Sequence, residues 1–170
     1  IIMNAGCYGR EMSDILYDVK IIDRIKGLYR IPAKKLNMSY RKTSIRSESI
    51  IISARLKYFK KKLDYKYKDY IKSERASSQP VKQLTGGSTF KNPDGYKAWK
   101  LIEDAGCRGL SIGGAKISDM HTNFIINYNN ATANDIESLG NIVMQKVYDK
   151  SGVKLEWEII KIGFTNKEEL

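Results

Sequence analysis

The residues TANDIESLGNIVMQKVYDKSGVKLEWEII, 132 to 160, change their hydrophobic period once, at Gly152. Before that glycine, Ile136, Leu139, Gly140, Val143 and Val147 recur on one helix face, and Thr132 followed by Asp135 is a pattern that opens a helix. After it the period becomes two. Val153, Leu155, Trp157 and Ile159 point one way, while Lys154, Glu156 and Glu158 point the other, which predicts a strand with Glu158 facing solvent. Upstream, Ala98, Leu101, Ile102 and Ala105 mark a helix that begins after Pro93-Asp94 and stops at Gly106, and the residues IIN at 125–127 read as a strand. Strand, helix, strand, helix, strand is the order of a compact α+β domain.

The first part of the chain reads differently. IIMNAGCYG, residues 1–9, has the pattern of the end of a buried strand followed by a glycine-rich turn. SDILYDVKIIDRIKGLYRI, 13–31, is punctuated like a hairpin turning at Lys26-Gly27, and the three isoleucines 50–52 predict a further strand. Residues 60–79 then shift to lysine and tyrosine. Leu63, Tyr67, Tyr70 and Ile71 at helical spacing predict a basic amphipathic helix ending at Ser77 and Ser78 before Pro80. A domain boundary is expected at 79/80, with a tail at 164–170.

A chain of 170 residues with 42% hydrophobic content can bury a core, and a net charge of +11 favours partners that carry phosphate. Cys7 and Cys107 lack zinc-site spacing and His121 is the one histidine, so a structural metal is not expected. Reduced thiols in a cytoplasm are the corresponding expectation. The longest apolar run falls far short of the roughly 18 residues that cross a bilayer, and no signal segment opens the chain, so no membrane association is expected.

GGSTFKNP, 86–93, gathers two glycines, a hydroxyl, a lysine and an amide, all groups that let backbone and polar side chains approach a ligand. Alone it would also suit a surface turn. Taken in order with MNAGCYG (3–9), YRKTS (40–44), QPVKQLTGGSTFKNP (79–93), AWKLIEDAGCRGLSIGGAKISDMHTNFIIN (98–127) and LEWEIIKIG (155–163), it resembles the UDP-N-acetylenolpyruvoylglucosamine reductase family, in the type lacking an extra substrate-capping loop. The resemblance implies flavin-dependent reduction of UDP-N-acetylglucosamine enolpyruvate to UDP-N-acetylmuramate for peptidoglycan, with FAD as cofactor and NADPH as reductant. It implies a catalytic set of Arg41, Ser88 and Glu158. Ser88 would deliver a proton, while Arg41 and Glu158 would stabilise the enolate. Tyr40, Lys91, Asn92 and His121 would bind substrate, and Asn4, Ala5, Gly6, Tyr8 and Gly9 would form part of the flavin wall.

The same resemblance implies that 1–79 is a partial FAD-binding subdomain with a connecting helix and that 80–163 is the substrate-binding domain. The family's glycine-rich FAD loops have no counterpart here, and the chain starts at Ile1, so weak or no FAD binding by this chain alone is expected. A separately encoded N-terminal FAD-binding portion is the partner a split enzyme would require. Two competing readings are an inactive remnant of the reductase and a basic module that binds nucleic acid through the Lys/Tyr helix.

Overall fold

A computed structural model describes residues 1–60 and 64–163. The chain forms two compact units, Ile1–Leu63 and Asp64–Leu170. The lysine and tyrosine helix therefore goes with the second unit, not the first as its composition suggested. A shift in composition marks a change of surface chemistry, and it need not coincide with a packing boundary. The expected tail at 164–170 lies outside the described residues, as does Leu63.

The first unit opens with a small hairpin, β1 (Gly6–Cys7) and β2 (Arg10–Glu11), and one helical turn, α1 (Met12–Ile15). The buried strand expected at its very start is absent. Instead the Asn4 N–H donates to the Ile1 carbonyl at 2.9 Å and Asn4 takes a left-handed φ of 42°, which folds 1–4 into a turn around the buried Asn4 side chain. The predicted hairpin is present as β3 (Leu16–Asp23) and β4 (Gly27–Pro32), and β5 (Ile50–Leu56) pairs with the other edge of β3. The resulting antiparallel sheet has the order β4-β3-β5. Leu16, Val19, Ile21 and Leu36 form its core, with Tyr29, Ile31 and Ile51 packed around them.

Two buried aspartates fasten this sheet. Asp18 receives the guanidinium groups of Arg55 and Arg30, the latter at 2.8 Å, so one carboxylate ties β3 to both neighbouring strands. Asp23 accepts from the N–H groups of Ile25 and Lys26 at 2.9 and 2.6 Å and from the Tyr29 hydroxyl, closing the β3–β4 turn. The Arg55 hydrogen bond, helped by the charges of Arg55 and Arg30 and opposed by burial, holds the Asp18 carboxyl below its ordinary value of 3.8. The Lys26 N–H and the Tyr29 hydroxyl do the same for Asp23.

In the second unit α2 (Tyr65–Ser78) is capped by the Asp64 side chain, which accepts from Tyr67 N at 3.0 Å. It starts later than the composition suggested and buries none of its residues; Tyr67 and Tyr70 stack on one another at 6.4 Å and are exposed, so the amphipathic reading does not hold for this helix. Next come β6 (Leu84–Ser88), α3 (Ala98–Asp104), the hairpin β7 (Ser111–Ile112) with β8 (Ala115–Ile117), β9 (Phe124–Asn127) and α4 (Ala133–Ser151). The sheet is antiparallel in the order β6-β9-β8-β7. The α+β class expected from the pattern is the class observed.

Helix α4 obeys its sequence closely. Thr132 Oγ1 accepts from Asp135 N at 3.1 Å, Asp135 returns the bond to Thr132 N at 2.9 Å, and Gly152 ends the helix at φ +71°. Leu139, Val143 and Val147 point inward with Ile102, Ile117, Ile125 and Leu155. Gly140 serves a different purpose. A methyl group there would collide with the Trp157 indole, 2.6 Å from Cζ2, so the missing side chain is the seat for that ring. The other side of the indole meets Phe90, with ring centroids 5.0 Å apart.

The strand predicted from Val153 is not a regular strand. Its alternation of burial survives, with Leu155 buried and Lys154 and Glu156 exposed, but among the described residues its one ladder contact is an isolated bridge between Trp157 and Phe90. Docking is governed by the indole in its glycine seat, with few backbone bonds. Glu158, expected in solvent, is half-buried because its own N–H donates to the Thr89 carbonyl at 2.8 Å and turns the residue toward β6.

Two outcomes follow. Gly140→Ala gains up to ~1 kcal/mol of helix propensity but displaces the indole, for a net loss of about 1–2 kcal/mol measured by urea unfolding. Asp18 and Asp23, ionised more readily folded than unfolded, contribute stability that is present above pH 3.8 and lost as pH falls through their depressed folded values. Unfolding curves of wild type and Asp18→Asn taken down this range should converge in acid.

Candidate active site

The GGSTFKNP residues lie at the end of β6, where the strand stops being regular. Its pairing with β9 shifts between Thr85 and Ser88, and Gly87 in the shift has φ +87°, a backbone state that favours glycine. Pairing resumes with Ser88 opposite Phe124, then Thr89 N donates to the Asn123 carbonyl at 2.8 Å. Thr89 is fully buried. Its Oγ1 accepts from Ile125 N at 3.1 Å, and its carbonyl accepts from Glu158 N. Ser88 and Glu158 thus sit one residue and one backbone hydrogen bond apart, both half-buried.

Lys91 and Asn92 continue from there. Lys91 N donates to the Glu156 carbonyl at 2.9 Å, and its ammonium is 3.1 Å from the Glu156 carboxylate. This pair is largely exposed, where such a contact is worth ~0–1 kcal/mol, so the ammonium can exchange its partner for a ligand's phosphate. Asn92 Oδ1 accepts from Ala98 N at 2.9 Å, satisfying the first turn of α3. That structural duty is one that the motif did not reveal.

His121 is half-buried between aromatic edges, 4.8 Å from the Phe124 ring and 6.4 Å from that of Trp99. Its Nδ1 accepts from Asn123 N at 3.2 Å, so the neutral ring carries its proton on Nε2, as a donor. Burial pushes the imidazole below its ordinary 6.5, with the Arg108 charge adding to the shift. Cys107 is buried and its thiol is pushed up by that burial, whereas Cys7 is exposed; both are free.

The remaining predicted residues belong to the first unit. Tyr40 and Arg41 form the tip of a turn closed by reciprocal bonds between Ser39 and Lys42 at 3.0 and 3.1 Å. Arg41 has φ 53°, an unusual state for a residue with a Cβ, and its guanidinium lies 4.9 Å from the Tyr40 ring centroid. Asn4 connects this turn to the first turn of α1. Its Oδ1 accepts from Ser13 N at 2.9 Å and its Nδ2 donates to the Ser39 carbonyl at 3.3 Å. The side chain of Asn4 is therefore committed internally. Ala5, Gly6, Tyr8 and Gly9 are exposed, Tyr8 and Gly9 with φ of 51° and 74°, and they offer an open backbone surface and one flat ring. Those features fit one wall around a planar cofactor.

Known sequences decide the family. The description of the C-terminal domain of UDP-N-acetylenolpyruvoylglucosamine reductase matches residues 79–162, the span that holds Ser88, Lys91, Asn92, His121 and Glu158. The reductase of Novosphingobium aromaticivorans is 46% identical over 95% of this chain, and that of Rickettsia typhi is 44% identical over 96%. The chain belongs to the UDP-N-acetylenolpyruvoylglucosamine reductase family. It spans about half the length of these relatives, 55% and 56%. The crystal structure of the UDP-N-acetylenolpyruvylglucosamine reductase from Thermus caldophilus superposes with a TM-score of 0.77 at 33% identity, covering 92% of this chain and 57% of that one.

Sequence reading assigned no role to three residues that shape the site: Thr89 and Asn123, which lie inside the quoted motifs, and Gly140, which it placed only on a helix face. Each is a single residue whose importance lies in a contact, and neither periodicity nor spacing signals it. Among the described residues no helix is long and apolar enough to cross a membrane.

His121 supplies a direct check. Its folded value is depressed below 6.5, so its contribution to stability is intact above that pH and lost as pH falls through the folded value. An NMR titration of the imidazole should give a midpoint below 6.5 with Nε2 protonated at neutral pH. A midpoint above 6.5 would contradict the burial and the bond from Asn123.

Proposed function

We propose that this chain carries the substrate-binding domain and the substrate-facing wall of the flavin site of a reductase that converts UDP-N-acetylglucosamine enolpyruvate to UDP-N-acetylmuramate in peptidoglycan synthesis. The observation that carries the reading is the Glu158 N–H to Thr89 carbonyl bond. It brings a hydroxyl and a carboxyl, distant in sequence, onto adjacent half-buried positions next to a cluster of donors. The remainder of the FAD site belongs to the part of the relatives that this chain does not span. Cytoplasmic localisation and NADPH as the reductant go with the same reading, which the two free thiols suit.

The chemistry sets the roles. The flavin, once bound and reduced by NADPH, would supply the hydride that converts the vinyl CH2 to a methyl group. Negative charge then develops on the carbon beside the carboxylate and on the carboxylate itself. Arg41 answers that charge with a planar guanidinium, a bidentate partner for a carboxylate. Glu158 polarises the enolate. Ser88 gives its proton to the carbon beside the carboxylate, completing the reduced ether; a hydroxyl does this only when held close and when the enolate is already stabilised. Lys91 and the Nε2–H of His121 bind the diphosphate and sugar, and Tyr40 braces Arg41. Ala5, Gly6, Tyr8 and Gly9 line the flavin side, with Asn4 holding their turn.

Calorimetry with UDP-N-acetylglucosamine enolpyruvate tests this reading. Wild type binds; Arg41→Ala weakens binding by about tenfold or more, the scale of a lost charged hydrogen bond, and Ser88→Ala leaves affinity almost unchanged. When the chain is combined with the flavin-binding portion of a relative, Ser88→Ala lowers turnover by at least ~10²-fold, the usual worth of a positioned acid. Absence of sugar-nucleotide binding, together with salt-sensitive binding of single-stranded nucleic acid that survives Ser88→Ala, would replace the reductase with the basic binding module.

A further inference from the structure

The segment after Ser88 is held by a side chain that no motif singles out. Asn123 is 5% exposed, and its carboxamide takes both backbone groups of Phe90. Oδ1 accepts from Phe90 N at 3.0 Å, while Nδ2 donates to the Phe90 carbonyl at 2.8 Å. This pair of bonds is what a neighbouring strand would provide. β9 begins at Phe124 and cannot provide it, because the chain before it bends away through the Phe124 N to His121 carbonyl bond of 3.0 Å. The amide therefore extends the ladder by one residue past the point where backbone pairing stops.

The backbone of Asn123 serves two more partners. Its carbonyl accepts from Thr89 N at 2.8 Å, and its N–H donates to His121 Nδ1 at 3.2 Å. Thr89 in turn receives Glu158 N, and Phe90 receives the Trp157 ring. One buried residue is thus bonded to Thr89 and Phe90, the two residues that receive Glu158 and Trp157, and to the imidazole. A simple packing residue would need no such set of four bonds, and a buried amide that lost them would be costly.

We propose that Asn123 is a positioning residue, fixing the register of 88–90 against 157–158 and, through its own N–H, the proton-bearing nitrogen of His121. The inference rests on the reductase reading for its purpose, but its geometry can be tested separately. A carboxamide is matched in shape by a protonated carboxyl, which both donates and accepts; an ionised carboxyl only accepts, and would turn a lone pair toward the Phe90 carbonyl.

In the wild-type chain, NMR should detect a scalar coupling across the hydrogen bond from Asn123 Nδ2 to the Phe90 carbonyl. Its absence overturns the proposal without recourse to a variant. Asn123→Leu keeps the volume and neither bond, so the exchange protection of the Phe90 and Glu158 amides should fall about tenfold at every pH, while α4 amides keep theirs. Asn123→Asp should match wild type in acid and lose a similar factor as the introduced carboxyl ionises, with wild type flat over the same range. Protection equal to wild type in both variants at all pH values overturns the proposal. Affinity for UDP-N-acetylglucosamine enolpyruvate, followed in the same samples, should fall with the amide protection, and an affinity that ignores it removes the positioning role. If wild type binds no sugar nucleotide while coupling and pH-dependent protection are present, the reductase reading fails and the clamp on Phe90 stands.

Discussion

The indole of Trp157, seated on Gly140 of α4 and against the ring of Phe90, is the contact on which the second unit's site depends. The segment that follows α4 has few backbone bonds to hold it. A large apolar ring entering a fitted seat supplies the attraction, and the half-buried Trp157 gains a share of the roughly 1.5–3 kcal/mol that full burial of a large apolar side chain contributes. Once the ring is seated, only one register of 155–159 against 89–91 remains, and that register brings Glu158 N to the Thr89 carbonyl. Position 140 is thus where the helix accepts an unfavourable residue for the sake of tertiary packing.

Around that anchor, polar groups do what regular pairing does elsewhere. β6 loses its register at Gly86-Gly87, and the gap beyond Ser88 is filled by the Thr89 hydroxyl and the Asn123 amide. In the first unit Asn4 has the corresponding task, joining α1 to the turn that carries Tyr40 and Arg41. Both units use a buried asparagine, with two donors and two acceptor lone pairs in its side chain, to fix irregular backbone where proposed functional residues sit.

Much of this was legible in the sequence where a period or a cap carries the signal. Helix α4 follows from Thr132, Asp135 and Gly152, and the β3–β4 hairpin from its turn at Lys26-Gly27. The motifs around Ser88, His121 and Glu158 identified the family. Short strands escaped: β7 and β8 have two and three residues, too few to establish a period of two. The alternation after Val153 was real in burial yet misled about hydrogen bonding, because the ring of Trp157 and not a ladder sets that segment. Periodicity alone puts Glu158 in solvent for the same reason, whereas the resemblance puts it in the catalytic set. Lys/Tyr periodicity in α2 described a helix whose surface is solvated all round, and its tyrosine rings pair with one another instead of entering a core.

The account stands or falls on the seating of that indole. Nuclear Overhauser contacts between the Trp157 ring protons and both the Gly140 Hα and the Phe90 ring measure it directly in solution. Strong cross-peaks to both, accompanied by one between Glu158 N–H and the Thr89 Hα region, are the predicted result. A Trp157 ring that shows contacts to neither residue would leave Glu158 without a reason to lie beside Ser88, and the proposed active site would lose its physical basis.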